Sequence, residues 1–168
     1  MDRSIFVISE HTDGKISPIT FDLAAFAEQI GRITQLPIEM VILGHDVDDI
    51  AGKIAESTGI NINILDIPGL NYYSREIYIR ALANFFSLKK AALICVANTA
   101  RGTDFAPGLA VRLNAANITA VQGISEHAGK LCFLRPADSG KRIAHICPMT
   151  DTAILNIQPG IFKALNHK

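Results

Sequence analysis

The chain has 168 residues, 49% of them hydrophobic, and its 16 basic and 16 acidic side chains cancel. That size and composition suit one domain with a full core and exclude a disordered chain, while the balanced charge leaves no electrostatic footprint for nucleic acid and no basic tail for a membrane surface. No apolar run is long enough to insert through a bilayer, and Met1-Asp2-Arg3 leads directly into a strand without a signal-peptide layout. Cys95, Cys132 and Cys147 are odd in number and widely spaced, and the first two sit in apolar runs. This usage predicts reduced thiols buried as small hydrophobes, and hence a reducing, cytoplasmic setting.

In chain order, Ile5 to Ile8 is the first strand, and Ser9 to Lys15 turns the chain at Asp13-Gly14. Thr20 can cap a helix whose apolar stripe is Leu23, Phe26, Ala27, Ile30 and Ile33, with Pro37 as its stop. Ile38 to Leu43 is the second strand. Asp46, Asp48 and Asp49 suit the positive end of the next helix, which buries Val47, Ile50, Ala51, Ile54 and Ala55 and stops at Gly59. Ile60 to Ile67 is the third strand. Ser74 caps a third helix with Ile77, Ala81, Leu82, Phe85 and Phe86 inward, and Tyr72, Tyr73 and Tyr78 cluster at its start, to pack or to stack a ring.

Ala91 to Val96 reads as a strand buried on both faces, followed by the turn Ala97 to Asp104. A helix follows with Ala106, Leu109, Ala110 and Leu113 on one side and Pro107 in its first turn, then a strand from Ile118 to Val121. Five strands alternating with four helices predict an α/β fold, an open parallel sheet with helices on both faces. After Gly123 the rhythm changes. Lys130 to Arg135, Arg142 to Cys147 and Ala153 to Ile157 read as short strands without helices between them, expected to pair antiparallel at a sheet edge or in a flap. Pro159-Gly160 breaks the last of them, and the final residues to Lys168 are expected to fray.

The turn from Asn98 to Asp104 sits where an open parallel sheet places a binding crevice. Backbone N–H groups at a helix start, the hydroxyls of Thr99 and Thr103 and the Arg101 cation are parts that can hold a phosphate, so Asn98, Thr99, Arg101, Gly102, Thr103 and Asp104 are the candidate binding residues. The same residues have a plainer reading: Asp104 or Thr103 caps the helix, and Arg101 pairs with a neighbouring acid. No G-x-G-x-x-G, G-x-x-x-x-G-K-[ST] or G-x-S-x-G motif is present. His11, His45, His127, His145 and His167 show no paired ligand spacing, so no metal site is expected, and no nucleophile–base set can be named as catalytic. Glu10, His11 and Asp13 form either an acid–base group or, more simply, a solvated turn.

The segment Thr99 to Leu113, TARGTDFAPGLAVRL, resembles the T-x-x-G-[RK]-D-L-A-P-R-L-A-A-R-L signature of electron transfer flavoprotein alpha subunits. Ile5 to Lys15 is similar to that family's opening strand and turn, Phe133 to Lys141 to F-x-R-P-x-Y-A-G-[NK], and Asn156 to Phe162 to T-V-R-P-G-x-F. Thr103, Gly108, Asp138-Ser139 and Gln158 depart from the usual residues. The resemblance implies a Rossmann-like, adenine nucleotide alpha hydrolase-like fold over residues 1–168 as a single N-terminal-type domain. In the family a second domain, which holds FAD, follows the T-V-R-P-G-x-F segment, so no tightly bound cofactor is expected in this chain.

The implied role is a scaffold or partner subunit in flavin-dependent electron transfer. Its expected partner is a beta-like subunit, a separate FAD-domain protein or a second copy of itself. The surface expected to meet that partner runs from Lys130 to Phe162 and includes Ile154, Leu155, Ile161 and Phe162, with core packing of these residues as the alternative. A different class competes: a small nucleotide-binding protein holding an AMP- or FAD-type phosphate at Asn98 to Asp104.

Overall fold

Alternate residues of β1 (Ser4–Ile8) enter different cores: Ile5 and Val7 pack on one side of the sheet, Phe6 and Ile8 on the other. A strand that is apolar on both faces is stable only inside a sheet covered on both sides. The computed structural model describes residues 3–162, and in it β1 lies inside a six-stranded parallel sheet. After β1 the chain folds into a small hairpin of β2 (His11–Thr12) and β3 (Lys15–Ile16). Asp13 and Gly14 at its tip both have positive φ, 49° and 73°, the backbone that a tight two-residue hairpin demands and Asp-Gly supplies.

The alternation then runs through α1 (Ile19–Thr34), β4 (Ile38–Gly44), α2 (Asp48–Thr58), β5 (Ile62–Asp66), α3 (Arg75–Ser87), β6 (Ala91–Ala97), α4 (Ala100–Leu113) and β7 (Ala116–Val121). Helices α1 and α2 cover one face of the sheet, α3 and α4 the other. Gly59 ends α2 in the left-handed conformation, as expected. Two expected caps differ. Helix α1 starts at Ile19 with Thr20 inside its first turn, and the Thr20 hydroxyl is directed to the Glu10 backbone instead. Ser74 does occupy the position before α3, but its side chain makes no capping bond. Ile33, expected in the α1 stripe, is 58% exposed.

The largest correction concerns the last third. Gly123–His127 (β8), Lys130–Ala137 (β9) and Arg142–Ile146 (β10) form a three-stranded antiparallel sheet, whereas Ala153–Ile157 (β11) leaves it. β11 inserts parallel between β6 and β7, giving the order β5-β4-β1-β6-β11-β7. Two parallel neighbours need a long crossover, normally a helix. Here the antiparallel sheet serves as that crossover. All five residues of β11 are buried, so Ile154 and Leu155 belong to the core and to no partner surface.

The cysteine reading is corrected as well. Cys95 is a free, buried thiol as expected, but Cys132 and Cys147 form a disulfide. The register explains the miss: Ile146 pairs with Phe133 across β10 and β9, which brings the next two residues, Cys147 and Cys132, face to face. Widely spaced cysteines became neighbours through strand pairing, and the cysteine argument for a reducing compartment falls with it. No helix among the described residues is long and apolar enough to cross a membrane. The expected fraying of the last residues, and His167, lie outside the described residues.

Candidate functional site

The strand order turns around β1: the chain first builds outward through β4 and β5, then returns to place β6 on the other side. The carboxyl ends of β1 and β6 therefore diverge into opposite connections, the place where open α/β sheets form a crevice. Glu10 and His11 enter it from β1, and Asn98 and Thr99 from β6.

Most of the expected turn is helix. Helix α4 begins at Ala100, so Arg101, Gly102, Thr103 and Asp104 lie in its first two turns and only Asn98 and Thr99 precede it. Pro107 is consequently well inside α4 and not in its first turn. The cap is Thr99, neither Asp104 nor Thr103: its hydroxyl oxygen accepts the Gly102 N–H at 3.2 Å. The Thr103 hydroxyl donates back to the Thr99 carbonyl at 2.8 Å. Gly102 is there for packing, since a Cβ at that position would run into the Ala97 carbonyl oxygen of β6.

Glu10 completes the cap. The Thr99 hydroxyl donates to the Glu10 carboxylate at 2.7 Å, and the Glu10 backbone is itself clamped by Thr20, whose hydroxyl accepts the Glu10 N–H and donates to the Glu10 carbonyl, both at 3.0 Å. A fixed carboxylate thus stands at the positive end of α4, where a phosphate would otherwise be favoured.

Among the described residues Arg101 pairs with no acid. Its guanidinium donates to the His11 carbonyl at 2.8 Å and to the Thr12 hydroxyl at 3.4 Å, and lies 5.5 Å from the centre of the Tyr73 ring. The His11 ring is likewise engaged and not merely solvated: its Nε2 lies 2.7 Å from the Leu43 carbonyl, which can only accept, so Nε2 carries the proton. Gly44 makes room for that ring. The Asp104 carboxylate accepts from the Tyr73 hydroxyl at 2.6 Å and lies 3.5 Å from the Arg75 Nε, which donates to the Asp104 backbone carbonyl at 3.0 Å. Burial, together with the hydrogen bond and charge of Asp104, holds the Tyr73 phenol well above its usual range. Burial also raises Tyr78, against the opposing charge of Arg101. Tyr73 and Tyr78 pack edge to face at 5.0 Å, leaving Tyr72 exposed.

Asn98 faces away from this cluster. Its amide nitrogen donates to Gln158 at 3.0 Å and its oxygen accepts the Ala120 N–H at 3.4 Å, linking the ends of β6, β7 and β11. Sequence reasoning placed Glu10 with His11 and Asp13, Thr20 at a helix start and Gln158 in the closing segment, and joined none of them to Asn98 to Asp104. They sit far from that stretch in sequence, and no local signal links them to it.

Two cavities bear on cofactors. A cleft of about 80 Å³ lies between His11, Tyr72, Tyr73 and Arg101, well below the few hundred Å³ of ordinary small-molecule sites. A groove of about 750 Å³ runs between α1 and the antiparallel sheet, but its only charged lining residue is Glu126, the wrong sign for a pyrophosphate. Neither of these two cavities fits a flavin dinucleotide; a third, of about 380 Å³, is lined by Arg3, Lys89, Lys90, Ala91, Asp151 and Thr152 at the opposite end of the sheet from the crevice. Among the described residues no group of three or more His, Cys, Asp or Glu side chains converges as a metal centre.

Comparison with known proteins places these observations. A family model described as the electron transfer flavoprotein domain matches residues 5–168. The electron transfer flavoprotein subunit alpha of Megasphaera elsdenii is 26% identical over 165 residues, covering 96% of this chain and 48% of that protein. The lactate dehydrogenase (NAD(+),ferredoxin) subunit LctC of Acetobacterium woodii is 28% identical over 146 residues, 86% of this chain and 35% of that subunit. The acryloyl-CoA reductase electron transfer subunit beta of Anaerotignum propionicum is 26% identical over 112 residues, 67% of this chain and 30% of that subunit. The chain spans about half the length, or less, of the relatives it matches.

Proposed function

Because the chain belongs to the electron transfer flavoprotein family, we propose that its 168 residues act as one domain, a scaffold and partner subunit in flavin-dependent electron transfer. The flavin itself would be held by a partner. The observation that carries this reading is the Thr99–Glu10 contact at the start of α4. The parts that resemble a phosphate site serve each other: Thr99 and Glu10 close the helix end, and Arg101 ties α4 to the hairpin after β1. The nucleotide-holding alternative asks the same helix end to accept a second negative charge a few ångströms from Glu10, which Coulomb repulsion opposes.

The partner would be a beta-type subunit, as the alpha-subunit relatives suggest, in the cytoplasm. With Ile154, Leu155 and Phe162 in the core, the surface left for it in the Lys130 to Phe162 region is exposed Ile161 together with the outer antiparallel strand and its exit. Ile143 is 52% and Met149 83% exposed there. Isolated exposed hydrophobics are ordinary, but two on one strand and its continuation offer the apolar centre an interface needs. The test is co-expression with a beta-type electron transfer flavoprotein subunit, followed by light scattering. A one-to-one complex weakened at least tenfold by Ile143→Asp is expected. A chain that stays monomeric at high concentration and captures no such subunit overturns the proposal.

A further inference from the structure

We propose that Cys132 and Cys147 form a reversible dithiol–disulfide centre that exchanges two electrons with an external dithiol while the fold stays intact. The pair sits in the antiparallel sheet, away from the β1–β6 crevice. The two Cα atoms lie 4.1 Å apart, one step beyond the Ile146–Phe133 pair of the β9–β10 ladder. Five register pairs from Arg142–Ala137 to Ile146–Phe133 hold the two strands together. Backbone pairing therefore keeps the sulfurs adjacent whether or not they are bonded, and both redox states share one scaffold. High local concentration of the second thiol then favours reclosure after reduction.

The surroundings suit each step. Cys147 is half-buried and can be reached, whereas Cys132 is fully buried. Cys132 Sγ lies 3.4 Å from the Lys130 carbonyl, an acceptor that serves an S–H and so satisfies the reduced form. Across β8, Ser125 stands opposite Cys132, and its hydroxyl lies 3.0 Å from His145 Nδ1. His145 is two residues before Cys147, so alternation along the strand puts its imidazole on the same sheet face. In the reducing direction, a thiolate of the dithiol attacks Cys147 Sγ. The Sγ–Sγ bond breaks, its electron pair goes to Cys132, and that sulfur takes up a proton. The second thiol of the reductant then attacks the mixed disulfide and releases Cys147 as a thiol. Two electrons and two protons pass to the protein, and the dithiol leaves as its own disulfide.

The experiment uses the full chain and dithiothreitol as the dithiol, with iodoacetamide trapping read by mass spectrometry. Reduced native protein should gain labels at Cys132 and Cys147 but not at buried Cys95, keep its far-ultraviolet circular dichroism, and lose both labelling sites again once the dithiothreitol is removed and oxidised glutathione is added. Adding about 1 M urea should change the reduction rate by less than about twofold, because the native state reacts. A route through global unfolding would speed it about fivefold or more, given ordinary urea sensitivities. That larger acceleration overturns the proposal. So do thiols that remain free in oxidised glutathione, or a bond that dithiothreitol opens only in unfolded protein.

Discussion

The hydroxyl of Thr99 donates to the carboxylate of Glu10 at 2.7 Å, joining the carboxyl ends of two neighbouring strands that are 89 residues apart in sequence. One side chain thereby does two things. It caps α4 through the Gly102 N–H and it fixes an acid at the positive end of that helix. The arrangement holds the strand–helix unit together and leaves a carboxylate beside the start of α4.

Thr99→Val should lose both bonds while keeping the shape. An N-cap threonine is worth about 1 kcal/mol, and the Glu10 carboxylate loses a charge-assisted partner worth about as much again. For a chain of this size, a loss of about 2 kcal/mol lowers Tm by roughly 4–8 °C. Thermal unfolding of the variant beside wild type measures it. An unchanged Tm would mean that the cap contributes nothing.

Gly102→Ala should be more damaging than any neighbouring alanine substitution. The added methyl meets the Ala97 carbonyl oxygen and the Val96 side chain, and the carbonyl belongs to a central strand that cannot move aside. Overpacking of this kind costs roughly 1–3 kcal/mol or more. Ala100→Gly is a useful comparison, since that residue is exposed on the same helix turn. Equal stability of Gly102→Ala and wild type would contradict the packing described.

Nucleotide titration calorimetry with AMP, ADP and FAD at about millimolar ligand should register no binding heat, the weak limit of a specific complex. Heat that appears in wild type and disappears in Arg101→Ala would restore the nucleotide reading of Asn98 to Asp104. Independently, Arg101→Ala should lower stability by about 1 kcal/mol, since it removes the bond to the His11 carbonyl. The purified chain should also show no visible flavin absorption, because neither the crevice cleft nor the groove beside α1 offers both the room and the positive charge that a dinucleotide requires.

Alkaline pH should destabilise the fold. Burial pushes the Cys95 thiol from an ordinary 9.0 up to about 12, and Tyr73 is also raised. For both groups the unfolded chain releases its proton first, so their contribution to stability is complete below the unfolded pKa and is lost as pH climbs toward the folded one. For Cys95 that window runs from 9.0 to about 12. Urea midpoints followed across it should fall in wild type and fall less in Cys95→Ala. Parallel profiles for the two proteins would rule out the thiol as a source.

The sequence alone determined the alternating core of the sheet, because Ile5 to Ile8 and Ala91 to Val96 are apolar at every position and can be satisfied only between two covering layers. It determined the Asp13-Gly14 hairpin tip and the Gly59 helix stop, where a positive φ selects the residue locally. The family signature at Thr99 to Leu113 was equally legible, being contiguous. What the tertiary structure decided was every relation between distant segments. The run from Ala153 to Ile157 is as apolar as an edge or a central strand would be, and only the vacant position between β6 and β7 chose insertion over antiparallel pairing. Cys132 met Cys147 because one ladder register put them opposite each other. Glu10 met Thr99 because β1 and β6 are neighbours, and through that contact the threonine that caps α4 also holds a carboxylate from the other strand. Residue type sets what a side chain can bond, but which partner arrives first depends on the sheet order, and strand order is a property of the whole packed chain.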